Sequence, residues 1–155
     1  MDDAGAVDAR VVLVTGGSRG IGRAIALQFA ATGATVAVHY RADEQRAVAT
    51  LADLGNGPHI AVCADLGEPG AAADVVADVV SRLGRIDVLV NNAGIYEPHP
   101  VLSTTAAEWQ SSWRRTIAAN LLGPADLIHA VVPIMVGQGG GYIVNVTSRG
   151  AFRGE

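Results

Sequence analysis

The first place where chemistry is expected is a glycine-rich stretch that follows a run of β-branched residues. Residues 15–22 read TGGSRGIG, directly after VVLV. A strand-to-helix turn there would present unpaired N–H groups and the positive end of a helix dipole, which together bind phosphate. Gly16 allows a sharp turn, while Gly20 and Gly22 leave room for a pyrophosphate or for the strand. The predicted nucleotide contacts in this stretch are Gly16, Ser18, Arg19, Gly20, Ile21 and Gly22. An ordinary strand-to-helix turn is the alternative.

Polar groups also follow three later apolar runs. Asp65-Leu66 ends the third run, Asn92-Ala93-Gly94 ends the fourth and Ser148 ends the fifth. If these runs are parallel strands, their ends share the sheet edge where open α/β folds bind ligands. We therefore predict that the first two groups bind a nucleotide and that Ser148 faces a substrate. An aspartate that caps its own loop and a serine in a plain turn are the alternatives.

Asn120 is a polar residue inside an otherwise apolar helical segment, where an amide needs a reason. Pro124 lies four residues later and has no N–H to donate to the carbonyl of Asn120. Gly123 loosens the same turn. The main-chain oxygen of Asn120 is therefore predicted to be available to a ligand or water, with a kink for packing as the alternative.

Taken in chain order, these motifs resemble the short-chain dehydrogenase/reductase family. The matching residues are the TGxxxGxG of residues 15–22, Asp65-Leu66, Asn91-Asn92-Ala93-Gly94, Asn120 and Ser148. The resemblance covers essentially the whole chain. It implies hydride transfer between NAD(P)(H) and a small carbonyl or alcohol substrate. A Rossmann methyltransferase or a sugar-nucleotide enzyme is disfavoured by NNAG, Asn120 and Ser148 occurring together.

The resemblance also implies a role for each matched position. Asp65 would accept the adenine amino group, and the backbone of Asn92, Ala93 and Gly94 would lie along the cofactor ribose. Asn91 would brace the neighbouring strand. The main-chain oxygen of Asn120 would hold a water of the proton relay, and Ser148 would orient the substrate oxygen.

Charge favours NADP(H) over NAD(H) as the cofactor. An acid at the end of the second strand would bind a ribose 2′-hydroxyl and repel a 2′-phosphate. Here the strand ends in His39-Tyr40-Arg41, with no acid before Asp43. Arg19 and Arg41 could clamp a 2′-phosphate, since guanidinium matches phosphate geometry. The alternative is that both arginines are solvated surface residues.

The segments that must position these residues alternate between the hydrophobic patterns of strands and of helices. Short apolar runs at 11–15, 35–40, 59–65, 86–94 and 142–148 predict five strands, and helical segments lie between them. The helix after residue 20 is predicted to bury Ile21, Ala24, Ile25 and Phe29. Thr105 and Glu108 have the spacing of a capping box that opens a long helix with Trp109, Trp113 and Ile117 on one face. The pattern predicts an α/β fold, a doubly wound parallel Rossmann-type sheet of order 3-2-1-4-5, in one NAD(P)-binding domain over residues 1–155.

Composition predicts a soluble cytoplasmic protein without nucleic-acid or membrane partners. The 155-residue chain is 50% hydrophobic and 17% charged, with a formal charge of −4. No uninterrupted apolar run approaches the roughly 18–20 residues of a membrane span. One cysteine, Cys63, excludes an internal disulfide and suits a reducing compartment. The four histidines share no metal-ligand spacing, so no metal site is predicted.

The proton-transfer pair that the resemblance implies is not found among these residues. Family members use a tyrosine activated by a lysine four residues later, because a phenol with a pKa of about 10 is a poor acid–base group at neutral pH. Tyr40, Tyr96 and Tyr142 have no such partner, and the sequence contains no lysine. We therefore expect a C-terminally truncated enzyme that carries the cofactor-binding part and is inactive alone. The alternative is a non-catalytic dinucleotide-binding or pairing module, and the long helix is the expected surface for any homo-oligomer.

Overall fold

The fold was analysed in a computed structural model, which describes residues 10–148. The strands are β1 (Val11–Val14), β2 (Thr35–Tyr40), β3 (Ile60–Cys63), β4 (Val88–Asn91) and β5 (Tyr142–Asn145). The helices are α1 (Gly20–Ala31), α2 (Glu44–Asp53), α3 (Ala71–Leu83), α4 (Ala106–Ile117) and α5 (Gly123–Gly137), and a π-helical turn at Ala118–Leu122 joins the last two.

The strands form one parallel sheet in the order β3-β2-β1-β4-β5, as the alternation of periods predicted. From β1 the chain winds outward through β2 and β3, then returns to the other side of β1 with β4. This reversal leaves a crevice beyond the carboxyl ends of β1 and β4, where doubly wound sheets bind ligands.

Side chains of β1 alternate between two hydrophobic cores. Val12 and Val14 pack on one face with Ala26 of α1, while Leu13 packs on the other with residues of α3 and α5. Both faces are covered, so the strands are continuous apolar runs.

The predicted buried stripe of α1 is partly wrong. Ile21 is 65% exposed, and Gly22 and Ala26 are the buried positions of this helix. A Cβ at residue 22 would lie 2.3 Å from the Gly16 carbonyl oxygen. The helix therefore approaches the sheet through its smallest residues, which turns Ile21 outward.

The segment that contains Asn120 is a π-helical turn inside one continuous helix, and not a simple kink. The Gly123 N–H donates to the Ala118 carbonyl five residues back. The capping box that opens α4 is confirmed, with the Glu108 N–H donating to Thr105 Oγ1 at 3.3 Å and Glu108 Oε2 accepting from the Thr105 N–H at 3.0 Å.

Among the described residues one helix, Ala106–Gly137, is long and apolar enough to cross a membrane, with a mean hydropathy of 1.5 over its best window. The sequence prediction concerned uninterrupted apolar runs, whereas this average tolerates interruptions such as Asn120 and Asp126. Length and composition alone are weak evidence for a membrane span. In this protein Leu127, Val131 and Met135 of that helix pack in the core against the sheet and α3.

The predicted fifth strand is shorter than expected. β5 ends at Asn145, and the Val146 N–H then donates to the Asn91 carbonyl at 2.9 Å. Ser148 therefore lies in the exposed segment beyond the strand, on the carboxyl side of the sheet.

Candidate functional site

Thr15 joins the carboxyl ends of β1 and β4. Its Oγ1 donates to the Val90 carbonyl at 3.2 Å and accepts from the N–H groups of Asn92 and Ala93 at 2.9 and 3.0 Å. The side chain is 1% exposed. One hydroxyl thus fixes the turn after β4 against the glycine loop. The backbone N–H groups of Asn92 and Ala93 are used in this contact.

Asn92 holds the glycine loop from the other side. Its Nδ2 donates to the Thr15 carbonyl at 2.9 Å and to the Gly16 carbonyl at 3.4 Å. Gly16 has a φ of 63°, a left-handed conformation that favours glycine. A Cβ at Gly22 would lie 2.4 Å from Asn92 Nδ2. Gly22 is therefore required for packing, whereas Gly20 has a φ of 54° and open space around it.

His39 braces the same loop and was not identified as functional from the sequence. Its Nδ1 accepts from the Gly16 N–H at 3.2 Å, and its Nε2 donates to the Ala64 carbonyl at 3.1 Å. This arrangement requires the neutral tautomer that is protonated on Nε2. Burial lowers the pKa of His39, although the Ala64 bond and the charge of Asp65 act in the opposite direction.

The crevice beyond the carboxyl ends of the strands holds a cavity of about 280 Å³. It brings together nine of the twelve residues predicted to bind the cofactor, namely Gly16, Ser18, Arg19, Arg41, Asp65, Leu66, Asn92, Ala93 and Gly94. The other lining residues are His39, Tyr40, Ala42, Asp43, Ala64, Ile95 and Ala119. Gly20, Ile21 and Gly22 lie outside this lining, at the start of α1. Four strand ends and the π-helical turn therefore enclose one elongated site.

Both carboxylates that line this cavity, Asp43 and Asp65, already accept hydrogen bonds from nearby backbone N–H groups. Asp43 caps α2 by accepting from the Arg46 N–H at 3.0 Å, and it forms an ion pair with Arg46 Nε at 3.0 Å. Its carboxylate therefore already has a cationic partner. Asp65 Oδ1 accepts from the Gly67 N–H at 3.0 Å, so this carboxylate does cap its own loop. A carboxylate has further acceptor positions, so this bond is compatible with a second donor.

The side chain of Asn120 hydrogen-bonds to the loop that follows β4. Its Oδ1 accepts from the Ile95 N–H and its Nδ2 donates to the Ile95 carbonyl, each at 2.8 Å. This reciprocal pair ties the π-helical turn to the segment that follows Gly94. Asn120 does not line the cavity, but its neighbour Ala119 does.

The edge beyond β4 and β5 is fixed by an asparagine pair. Asn91 Nδ2 donates to Asn145 Oδ1 at 2.9 Å, which is the bracing of the neighbouring strand expected for Asn91. Asn91 Oδ1 is buried without a hydrogen-bond partner. Ser148 follows three residues after this pair and is not among the residues that line the cavity.

A second polar cluster lies on the loop before α4. Arg115 Nε donates to Glu97 Oε1 at 3.0 Å, and the hydrogen bonds from Arg115 lower the pKa of Glu97. His99 packs edge-on against Trp109 and Trp113, with ring centroids 5.0 and 5.6 Å apart. These contacts hold the loop on α4, and Trp113 remains 44% exposed.

Comparison with known proteins agrees with this geometry. The family model described as short chain dehydrogenase matches residues 10–155. The chain belongs to the short-chain dehydrogenase family. A 3-oxoacyl-(acyl-carrier-protein) reductase from Staphylococcus epidermidis is 39% identical over 138 residues, which is 88% of this chain and 55% of that protein. One from Synechocystis sp. is 38% identical over 152 residues, which is 97% of this chain and 60% of that protein.

A solved structure extends the likeness to three dimensions. The crystal structure of a metagenomic short-chain oxidoreductase in complex with NADP has a TM-score of 0.78 and 35% identity, covering 90% of this chain and 62% of that one. The chain thus spans 55–60% of the length of the curated relatives named above. Membership in the short-chain dehydrogenase family and the Rossmann-type sheet order are confirmed.

Two structural residues of this short-chain dehydrogenase site, Thr15 and His39, were not predicted as site residues. Both are polar side chains at the end of a buried strand, and both are almost fully buried. A buried polar side chain must find hydrogen-bond partners. That requirement is the signal that marks them, although only the fold shows that their partners lie on the glycine loop.

Proposed function

We propose that this chain binds NADP(H) across the carboxyl edge of its sheet, as the cofactor-binding domain of an oxidoreductase. The reaction would be hydride transfer between NADP(H) and a small carbonyl or alcohol substrate. The observation that carries the proposal is the 280 Å³ cavity, in which nine predicted contacts from separate segments converge. The family membership and the NADP complex of the similar structure support it.

The glycine loop fits a dinucleotide on structural grounds. Gly16 and Gly20 both take positive φ, and Gly22 sits where any side chain would collide with the loop. Backbone can therefore come close to a pyrophosphate at the N-terminus of α1. Ser18, Arg19, Gly20, Ile21 and Gly22 are proposed to hold it. Asp65 and Leu66 would receive the adenine, and Asn92, Ala93 and Gly94 the ribose.

The preference for NADP(H) rests on charge. Arg19 and Arg41 line the cavity together, and the nearest acid, Asp43, is occupied by Arg46. A 2′-phosphate would find two guanidinium groups, while the Asp43 carboxylate has Arg46 as a partner.

Ser148 and Asn120 are proposed for the reacting end. Bound NADP(H) supplies or accepts the hydride. Ser148 would hydrogen-bond the substrate oxygen, and the main-chain oxygen of Asn120 would hold a relay water. Tyr40, Tyr96 and Tyr142 lack a lysine four residues later. We therefore propose that the 155-residue chain binds the cofactor without completing turnover.

A binding experiment tests the cofactor assignment. Isothermal titration of the 155-residue chain with NADP+ and NAD+ should show tighter binding of NADP+. Arg41→Ala should weaken NADP+ by about ten- to a hundredfold, the range for a lost charge-assisted hydrogen bond. NAD+ is the internal control, since it lacks the 2′-phosphate and should be little affected. Equal losses for both dinucleotides would contradict the clamp, and no binding of either would overturn the proposed function.

A non-catalytic dinucleotide-binding or pairing module is the alternative, favoured by the lack of a Tyr–Lys pair in this sequence. The intact mass of the natural protein, measured together with carbonyl-dependent NADPH oxidation, separates the two. Turnover by a chain of only these residues would contradict the requirement for tyrosine and lysine.

We also propose a cytoplasmic location and self-association through the long helix. Its outer face exposes Trp113, Ile117, Leu121 and Val136 at 44%, 39%, 57% and 73%. An apolar face of this size favours burial against a partner surface.

A further inference from the structure

We propose that His39 is a positioning residue that makes dinucleotide binding depend on pH, because the glycine loop is held by its neutral imidazole. The inference rests on the proposed function, since it concerns affinity for NADP(H). It goes beyond that function by assigning a role to a residue outside the predicted contact set.

The geometry ties one side chain to three parts of the site. His39 stands on β2, accepts from Gly16 in the phosphate-binding turn and donates to Ala64 at the end of β3. Its own carbonyl accepts from the Gly17 N–H at 2.9 Å. The residue is 2% exposed and lines the cavity. The position of the first glycine turn therefore depends on both nitrogens of His39.

Protonation is incompatible with this arrangement. A second proton on the ring would turn Nδ1 into a donor that faces the Gly16 N–H. The bond would be lost, and two donors would be left opposed in a buried place. The turn would have to move, which displaces the backbone that is proposed to hold the pyrophosphate.

Burial and the charged groups around His39 together determine the pH at which this protonation happens. Arg19 comes from the glycine loop, Arg41 and Asp43 follow β2, and Asp65 follows β3. Burial is the largest influence and lowers the pKa of His39, while Asp65 opposes it. The group is therefore neutral at pH 7.5, and its protonation belongs to the range below about 6.5. A bound dinucleotide that needs the neutral form would lower this pKa further.

His59 provides a matched control within the same chain. Its Nδ1 also accepts a backbone N–H, from Val36 at 3.0 Å, and burial also lowers its pKa. However, it lies before β3, at the opposite edge of the sheet, and does not line the cavity. If acid acts only by unfolding the protein, substitution of either histidine should change the pH dependence of binding. If acid acts on the glycine turn, only substitution of His39 should change it.

The experiment measures NADP+ affinity of the full chain from pH 7.5 to 5.5 by calorimetry. The 2′-phosphate of NADP+ titrates near pH 6 by itself, so variants are compared with wild type rather than with a flat line. His39→Asn places an untitratable acceptor near the Nδ1 position, and His39→Gln keeps a donor near Nε2. Wild type should lose affinity more steeply than either variant, by up to about tenfold per pH unit below the pKa of His39. His59→Asn should keep the wild-type slope.

The imidazole itself gives a second readout. Nitrogen NMR of the His39 ring should show the Nε2–H tautomer at pH 7.5 and a lower pKa with saturating NADP+ than without it. Equal pH slopes in wild type and both His39 variants, or a His39 pKa that does not change on binding, would overturn this inference and leave the proposed function intact. A flattened slope in His59→Asn would also overturn it, by pointing to global unfolding. No NADP+ binding by wild type at pH 7.5 would overturn the proposed function and this inference with it.

Discussion

At the scale of single residues, the glycine loop is held against the neighbouring strands by side chains that hydrogen-bond to backbone groups. Thr15, Asn92 and His39 hold the glycine loop through seven side-chain hydrogen bonds to backbone groups of that loop and its neighbours. None of these side chains carries a charge at neutral pH. The glycine loop is therefore held by neutral side chains, and the exposed Arg19 and Arg41 line the cavity beside it.

Gly22 gives the sharpest residue-level prediction. Gly22→Ala should destabilise folding by about 1–3 kcal/mol, as overpacking does, and should weaken NADP+ binding because the loop must shift. The nearest collision is with backbone, the Gly16 carbonyl oxygen at 2.3 Å, so a shift of the Asn92 side chain at 2.4 Å would not relieve it. Urea unfolding and calorimetric titration measure the two effects.

Gly137→Ala is the control for that substitution. Gly137 lies in α5 with nothing near its added Cβ, so alanine should stabilise the helix by up to about 1 kcal/mol. If Gly22→Ala matched this control in stability and NADP+ affinity, close packing of α1 on the loop would not be the reason for the glycine.

The buried His39 and the partly buried His59 predict a pH dependence of stability. Their pKa values are lowered in the folded state, so the unfolded chain takes up protons first as pH falls. Stability is then fully present above about pH 6.5 and declines as pH falls below it. The urea midpoint should drop between pH 7.5 and 5.5, and the drop should be smaller in His59→Asn. A variant midpoint that falls as steeply as wild type would show that His59 does not contribute.

At the scale of elements, much could be predicted from the sequence because each element has a strong local signal. Five β-branched runs alternate with helical segments, and right-handed crossovers then restrict the strand order. The buried face of α1 was predicted wrongly at Ile21, because the prediction used hydrophobicity alone. The helix lies so close to the sheet that the small residues Gly22 and Ala26 are the buried ones. Pro124 and Gly123 signalled an irregular turn at Asn120. Its π-helical form and the side-chain contacts with Ile95 depend on a segment 25 residues away, which no local pattern contains.

Asn120 therefore predicts a measurable coupling between the long helix and the loop after β4. Asn120→Ala removes both bonds to Ile95 and should raise the hydrogen-exchange rate of the Ile95 amide by about tenfold, as expected for bonds of 0.5–1.5 kcal/mol each. Asn120→Asp keeps the acceptor and should have a smaller effect on that amide. Exchange that is unchanged in Asn120→Ala would show that the loop is held by other contacts, such as the Glu97–Arg115 pair.

At the scale of the whole molecule, the described sheet has a buried centre and two edge strands, β3 and β5, of which β5 is the more exposed. β1, β2 and β4 are buried, whereas three of the four residues of β5 are exposed, and the outer edge of β5 has no strand partner among residues 10–148. Open apolar edges and apolar helix faces both lead to association, but through different contacts. The cavity lies at the carboxyl ends of β1, β2, β3 and β4, and no residue of β5 lines it.

This separation predicts that association and cofactor binding can be altered independently. Val144→Lys places a charge on β5, and Val136→Glu places one on the exposed face of α5, where these side chains are 45% and 73% exposed. Sedimentation velocity of the chain at several concentrations should show self-association that Val136→Glu weakens if the helix face is the contact. Val144→Lys should weaken it instead if the strand edge is used. NADP+ affinity should be unchanged in both, because neither residue lines the cavity. Association that survives both substitutions would exclude these two surfaces, and a parallel loss of NADP+ binding would mean that the cavity is completed by a second copy of the chain.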